Sequence, residues 1–207
     1  MMYNPDMDMA KILYCLEMRG FHPHFADNRE QAIELVTQII NRDATIGFSG
    51  SMTVESLAIP ALLYNRGNHT YHRSIMNDLS RDELYLRSRD CDWLITSANA
   101  MSEDGQLVNI DGKGNRVASM IYGPKNILVI IGINKITPCL DSAIERAKNI
   151  AAPLNAKRLN KDTPCVTVGK CLDCNSPDRI CRATVIQTNP TTGVNFHIII
   201  VNDNLGF

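Results

Sequence analysis

The sequence contains no long apolar segment, no long basic run and few aromatic residues. Its most apolar run, from Ile127 to Ile133, is far too short to cross a bilayer, which needs about 20 apolar residues. The 21 Lys and Arg residues are balanced by 22 Asp and Glu residues, so the charge gives no footprint for nucleic acid or an anionic membrane surface. We therefore expect small molecules or proteins as partners, no nucleic acid, and no membrane span.

Familiar motifs of catalysis and targeting are also missing. The five histidines form no HxxxH pair and the chain has no GxSxG nucleophile elbow, so metalloprotease and serine hydrolase chemistry lack support. The sequence assigns no catalytic residue. The first residues do not combine a basic stretch with an apolar segment, as a secretory signal would, and we expect a cytoplasmic protein.

Strand-like and helical segments alternate along the chain, which is typical of an α/β fold with a mainly parallel sheet flanked by helices. We interpret residues 1–207 as a single domain in which residues 1–44 form N-terminal helices, with Asp27 and Glu30 as a capping box for the second helix. Thr137 and Pro138 predict the start of a later helix. The apolar runs TIGF, DWLITSANA and KNILVIIGINK predict buried strands, and ATVIQT and FHIIIVN predict a C-terminal hairpin around TNPTTGVN.

A loop rich in Gly, Ser and Thr joins the first of these strands to a helix. Backbone N–H groups and hydroxyls in this position can hold a phosphate or a carboxylate. The loop lacks the lysine of a P-loop, and a tight turn with a Ser/Thr helix cap explains the pattern equally well. The candidate anion-binding residues are Gly47, Ser49, Gly50, Ser51 and Thr53.

Polar residues also follow the next two predicted strands. Carboxyl ends of parallel strands meet at one edge of a sheet, so these residues would line a crevice there. Lys135 could neutralise an anion, act as a desolvated nucleophile, or be a solvated strand end, and acidic residues beside Gly105 are commonly turn formers. The candidates for this crevice are Ser97, Asn99, Asp104, Gly105, Asn134 and Lys135.

Four of the seven cysteines lie within residues 165–181. In a reducing compartment, clustered thiols indicate a metal site before they indicate disulfides. The predicted ligands would bind zinc or an iron–sulfur cluster equally well. Free thiols in a loop are the alternative, because the C-x5-C-x2-C-x6-C spacing is not a common one for either site. The four candidate metal ligands are Cys165, Cys171, Cys174 and Cys181.

Three segments resemble the lactate-utilization (LUD) domain family, specifically its stand-alone cysteine-containing members. They are IGFSGSMTVESL, LITSANAMSEDGQLVNIDGKGNRVASMIYGPKNILVIIGINKI and the cysteine segment, and the resemblance runs from about Thr45 to the C-terminus. It implies a fold similar to the ribose-phosphate isomerase, CoA-transferase and formyltetrahydrofolate cyclo-ligase group. In that group a Gly/Ser/Thr loop grips an anionic ligand, so the resemblance assigns residues 47–53 to the anion loop and the crevice candidates to the pocket lining.

The family's best-known role, as a component of an iron–sulfur lactate oxidation system, implies iron–sulfur subunits as partners. The sequence and this resemblance together predict a lactate-utilization-type protein that binds a small anionic metabolite and takes part in oxidation of lactate or a related hydroxy acid. One alternative is a non-catalytic binding or assembly subunit whose zinc holds the last third of the chain in place. Another is a transferase or isomerase that acts on a CoA thioester or a sugar phosphate.

Overall fold

The chain folds into two β-sheets with helices packed around them. The computed structural model describes residues 7–207. Within this part of the chain, no helix is both long enough and apolar enough to span a bilayer. The helices are α1 (Met9–Met18), α2 (Arg29–Ile39), α3 (Met52–Ser56), α4 (Ile59–Asn65), α5 (Arg81–Arg89), α6 (Asn115–Ile121), α7 (Leu140–Arg146), α8 (Ala152–Arg158) and α9 (Pro164–Val168). The strands are β1 (His22–Ala26), β2 (Thr45–Phe48), β3 (His69–Tyr71), β4 (Trp93–Thr96), β5 (Ala100–Ser102), β6 (Leu107–Asp111), β7 (Asn126–Gly132), β8 (Ile136–Thr137), β9 (Ala183–Gln187) and β10 (Asn195–Val201).

The larger sheet has six strands in the order β1-β10-β7-β4-β2-β3. Every neighbouring pair is parallel, so the predicted α/β fold with a mainly parallel sheet is confirmed. The two central strands are uninterrupted apolar runs because both faces of the sheet are covered. Residues 127–131 of β7 and 198–201 of β10 are fully buried.

Alternate residues of β7 belong to two separate hydrophobic cores, one on each face of this sheet. Leu128 and Ile130 pack in the core that contains Val36 of α2. Val129 packs in the core that contains Leu16 of α1. Burial of each such side chain stabilises the fold by about 1.5–3 kcal/mol relative to exposure. Packing of helices on both faces therefore holds the strands in position, including their carboxyl ends.

The smaller sheet has four strands in the order β8-β5-β6-β9. Its residues Val108 and Ile110 pack against Ala143 of α7 and Ala147 of a π-helical turn, Ala147–Ala151, that joins α7 to α8. The predicted C-terminal hairpin is wrong, because β9 pairs with β6 in this sheet whereas β10 lies between β1 and β7 in the larger one. The turn-forming residues between β9 and β10 are local signals, and such signals do not distinguish a hairpin from a loop that crosses between two sheets.

Three local predictions near the helix ends are corrected by the structure. The prediction that residues 1–44 form helices is wrong for β1, which lies between α1 and α2. It is an edge strand, a position that tolerates Pro23. Residues 1–6 lie outside the described part of the chain. The N-cap of α2 is Asn28, whose side chain accepts the N–H of Gln31 at 2.9 Å, rather than Asp27. Helix α7 begins after Cys139, and Thr137 belongs to β8 instead of capping the helix.

Candidate functional site

A pocket of about 590 Å³ lies at the carboxyl ends of three neighbouring strands, β2, β4 and β7. Strand β2 is followed by Ser49, β4 by Ser97, and β7 by a 3₁₀ turn, Ile133–Lys135, that ends in Lys135. All three residues line the pocket. Parallel strands end at the same edge of their sheet, so the fold brings together residues that are far apart in sequence.

Lys135 is the buried cation of this pocket, with only 4% of its surface exposed. Its Nζ donates to Thr53 Oγ1 at 2.8 Å, to Ser97 Oγ at 3.0 Å and to the backbone oxygen of Ala98 at 3.2 Å. Three acceptors match the three protons of an ammonium group. Lys135 is therefore held in place by helix α3 and by the residues that follow β4, and is not a solvated strand end.

Two arginines that no sequence pattern indicated lie close to Lys135. The Arg116 guanidinium donates to the backbone oxygen of Ser97 and to Asn99 Oδ1, each at 2.9 Å. Arg146 donates through Nε to the backbone oxygen of Asn134 at 2.8 Å, and burial lowers its pKa to about 10. Burial, followed by the positive charges of Arg146 and Arg116, lowers the pKa of Lys135 to about 7. An anion in the pocket would favour the charged form of this lysine.

Only three of the five predicted anion-loop residues line the pocket. Ser49, Gly50 and Ser51 line the pocket. Ser51 also caps α3 by accepting the N–H of Val54 at 3.3 Å, and Ser49 donates to Thr96 Oγ1 at 3.1 Å. The two explanations of the loop, helix cap and pocket wall, are therefore compatible in one structure.

The two ends of the loop have structural contacts of their own. A Cβ on Gly47 would lie 2.5 Å from Ser88 Cα, so this glycine permits close packing of α5 on β2 and does not reach the pocket. Thr53 is fully buried and lies beneath the pocket surface, where it donates to the backbone oxygen of Leu205 at 3.2 Å and accepts from Lys135. It acts on the pocket through the lysine.

The other predicted crevice residues are divided among different places. Asn99 lines the pocket. Asn134 lies instead in a separate cleft of about 670 Å³, and its Oδ1 accepts the N–H of Leu205 at 3.1 Å. Asp104 and Gly105 form the turn between β5 and β6 against α1, where the backbone oxygen of Asp104 accepts from Arg19. Neither is in the pocket wall.

The pocket is strongly cationic although the whole chain carries a formal charge of −1. Nine of its lining residues are Lys or Arg and three are Asp or Glu. Among residues 7–207, five of the nine form no ion pair with a carboxylate. The nine are Arg73, Arg81, Lys113, Arg116, Lys135, Arg158, Lys161, Arg179 and Arg182, and the five are Arg81, Arg116, Lys135, Arg158 and Arg182.

A hydrogen-bonded histidine and glutamate also line the pocket. His72 Nε2 lies 3.1 Å from Glu55 Oε1, and His72 Nδ1 lies 2.8 Å from Ser74 Oγ. Burial lowers the pKa of His72, whereas the Glu55 carboxylate raises it. Arg73 NH2 lies 3.6 Å from the same Glu55 oxygen. Glu55 is thus a carboxylate held by two partners at the wall of a basic pocket, and sequence spacing gave no signal for it.

The cysteine segment contributes to one wall of the pocket. Its residues Pro177, Asp178, Arg179 and Ile180 line the cavity, as does Arg182 directly after the segment. In the described part of the chain, no group of three or more His, Cys, Asp or Glu side chains could hold a metal ion. As placed here, Cys165, Cys171, Cys174 and Cys181 do not form a four-sulfur centre, and the metal site stays a prediction.

Comparison with known proteins identifies the family. A crystal structure of a DUF162 family protein from Deinococcus radiodurans superimposes with a TM-score of 0.52, covering 94% of this chain and 99% of that chain at 14% sequence identity. At this identity the similarity establishes the fold alone. No curated protein matches the chain. The family model of the LUD domain matches residues 9–201, and the chain therefore belongs to the LUD domain family.

Proposed function

We propose that this LUD-domain protein binds an anionic metabolite in the pocket at the carboxyl ends of β2, β4 and β7. In this proposal it serves a lactate-utilization system that oxidises lactate or a related hydroxy acid, and iron–sulfur subunits of that system carry the electrons. The observation that supports anion binding most directly is the excess of nine basic over three acidic residues around one pocket.

The free pocket contains positive charges that repel one another. Arg116 lines the pocket together with Lys135, and Arg146 lies behind them in the wall of the separate cleft that contains Asn134. Both arginines lower the pKa of the lysine. A bound carboxylate or phosphate would relieve this repulsion, and each hydrogen bond to a charged group is worth about 1.5–3 kcal/mol. The hydroxyl of Ser51, which accepts the N–H of Val54 and keeps its own proton, offers a further donor at the same wall.

Direct titration of an anion tests the proposal. L-lactate and orthophosphate would be titrated calorimetrically into the wild-type chain, into Lys135→Met and into a control, Lys157→Met, which removes an exposed lysine of α8 outside the pocket wall. Loss of the positive charge next to the anion predicts that Lys135→Met weakens binding by roughly 10-fold or more, and that the control binds as the wild type does. Equal affinities of wild type and Lys135→Met would remove the lysine from the site.

A further inference from the structure

The anion pocket has a buried end and an exposed end within one continuous cavity. At the buried end, Lys135 is 4% exposed and Ser97 is 6% exposed. At the other end, Arg73 has 57% of its side chain exposed and Arg158 is also exposed. All four residues line the same cavity. A molecule that contacts both ends must therefore be longer than a single carboxylate group.

The volume of the cavity supports a larger occupant than a simple hydroxy acid. At about 590 Å³, it is within the range of roughly 300–1,000 Å³ that is usual for pockets of drug-sized ligands. Liquid water takes about 30 Å³ per molecule, so a three-carbon hydroxy acid would leave most of this space to solvent. The arginines of the exposed end line this same cavity.

The exposed end combines arginines from distant parts of the chain. Arg73 follows β3 and Arg158 ends α8, yet the charge of Arg73 contributes, after burial, to lowering the pKa of Arg158. The nearby Glu55 carboxylate opposes this effect. The Arg158 guanidinium is oriented by Asn155 Oδ1, which accepts from Nε at 3.0 Å and from NH2 at 2.8 Å. Two guanidinium groups close to a single carboxylate leave an excess positive charge at the mouth.

A third arginine, Arg179, lines the same cavity and, among the described residues, has a buried donor without a partner. Within residues 7–207, the buried Nε–H of Arg179 has no hydrogen-bond acceptor. Buried donors without partners are rare in folded proteins and commonly indicate a missing ligand or water. The planar guanidinium group matches the oxygens of a phosphoryl group through paired hydrogen bonds better than any other side chain does. Arginines therefore favour a phosphoryl group at this end of the pocket.

We propose that the occupant is a phosphorylated carboxylic acid, with its carboxylate directed toward Lys135 and its phosphoryl group bound at the mouth by Arg158 and Arg73. This inference rests on the proposed function, because it assigns a substrate class to the same pocket. In this proposal the two ends of the pocket bind different groups. The buried end binds the carboxylate, and the exposed end increases the affinity by binding the phosphoryl group.

Two probes that differ by one phosphoryl group test this inference. D-glycerate and 3-phospho-D-glycerate would be titrated at constant ionic strength into the wild type, Arg158→Gln, Lys135→Met and the control Lys157→Met. In the wild type, 3-phosphoglycerate should bind at least about 10-fold tighter than glycerate, the ratio expected for an added charged hydrogen bond. Arg158→Gln should abolish most of this ratio, because it should weaken binding of 3-phosphoglycerate far more than binding of glycerate, and Lys135→Met should weaken both probes.

The possible outcomes separate this inference from the proposed function. Equal affinities for the two probes in the wild type would overturn the phosphoryl site and leave anion binding intact. A preference for 3-phosphoglycerate that survives in Arg158→Gln and in Arg73→Gln would also overturn it, because the phosphoryl group would then be elsewhere. Failure of both probes to bind the wild type would overturn the inference and the proposed function together.

Discussion

Replacing the buried Lys135 by Met should change how the stability of the protein depends on pH. Burial and the neighbouring arginines lower the pKa of this lysine from 10.5 to about 7 in the folded chain. Between these values the unfolded chain binds more protons at this residue than the folded chain does, so the free energy of unfolding rises with pH. The contribution of Lys135 to stability is complete above about pH 10.5 and is lost as the pH falls toward about 7.

The magnitude follows from the size of the shift. Each pKa unit corresponds to about 1.4 kcal/mol, so the wild type should gain roughly 3–4 kcal/mol between pH 7 and pH 10 from Lys135 alone. Met is similar in length and does not titrate, so Lys135→Met should lack this gain. In the variant, Thr53 and Ser97 lose their hydrogen bonds to Lys135, which lowers the free energy of unfolding by an amount that does not depend on pH. The test is therefore the slope of the free energy of unfolding against pH.

Urea unfolding at pH 7, 8, 9 and 10 would measure this slope for the wild type, Lys135→Met and the exposed control Lys157→Met. The difference in the free energy of unfolding between wild type and Lys135→Met should rise by about 1.4 kcal/mol per pH unit over most of this range. The control should run parallel to the wild type. A constant difference between wild type and Lys135→Met would show that the lysine stays charged throughout, and the account of a buried lysine with a lowered pKa would be wrong.

Three further predictions concern other parts of the molecule. Burial and two nearby histidines lower the pKa of His197 to about 4, so stability should fall as the pH drops from about 6.5 to 4, by at most about 3 kcal/mol; His197→Phe should reduce this loss in urea titrations, and an unchanged loss would exclude His197 as its source. Gly47→Ala places a methyl group 2.5 Å from Ser88 Cα and should lower stability by about 1–3 kcal/mol, whereas an unchanged melting temperature would contradict the close packing. The cysteines of residues 165–181 are predicted to share a metal centre, which anaerobic purification with metal analysis and visible absorption spectroscopy would identify as iron–sulfur or zinc; absence of both metals with all seven thiols titratable would refute it.

The sheet could be predicted from the sequence because its central strands carry local signals. The run in β7 is apolar on both faces, which is typical of a buried parallel strand, and residues 127–131 are indeed fully buried. The polar residues after β4 and β7 could be placed at one edge for the same reason. Strand β1 gave no such signal, since HPHFA contains a proline and two histidines, and its place at the sheet edge is determined by pairing with β10.

The charge of the pocket could not be predicted because it arises only when distant segments meet. Arg73, Arg116 and Arg158 come from separate elements, and the chain as a whole is nearly neutral. No local excess of basic residues marks them in the sequence. The same holds for Glu55 and His72, whose 3.1 Å contact joins α3 to the loop after β3. Lys135 was a candidate, but its burial depends on Thr53 of α3 and on Ser97 after β4.

The most direct test of the central claim, that the pocket binds an anion next to Lys135, is the proton uptake that accompanies binding. L-lactate would be titrated at pH 7.5 in two buffers of different ionisation enthalpy, since its carboxylate is already ionised and cannot itself take up a proton. A carboxylate beside Lys135 should raise the pKa of the lysine from about 7. The account predicts uptake of a large fraction of one proton by the wild type and none by Lys135→Met. Binding without proton uptake, or uptake that persists in Lys135→Met, would contradict it.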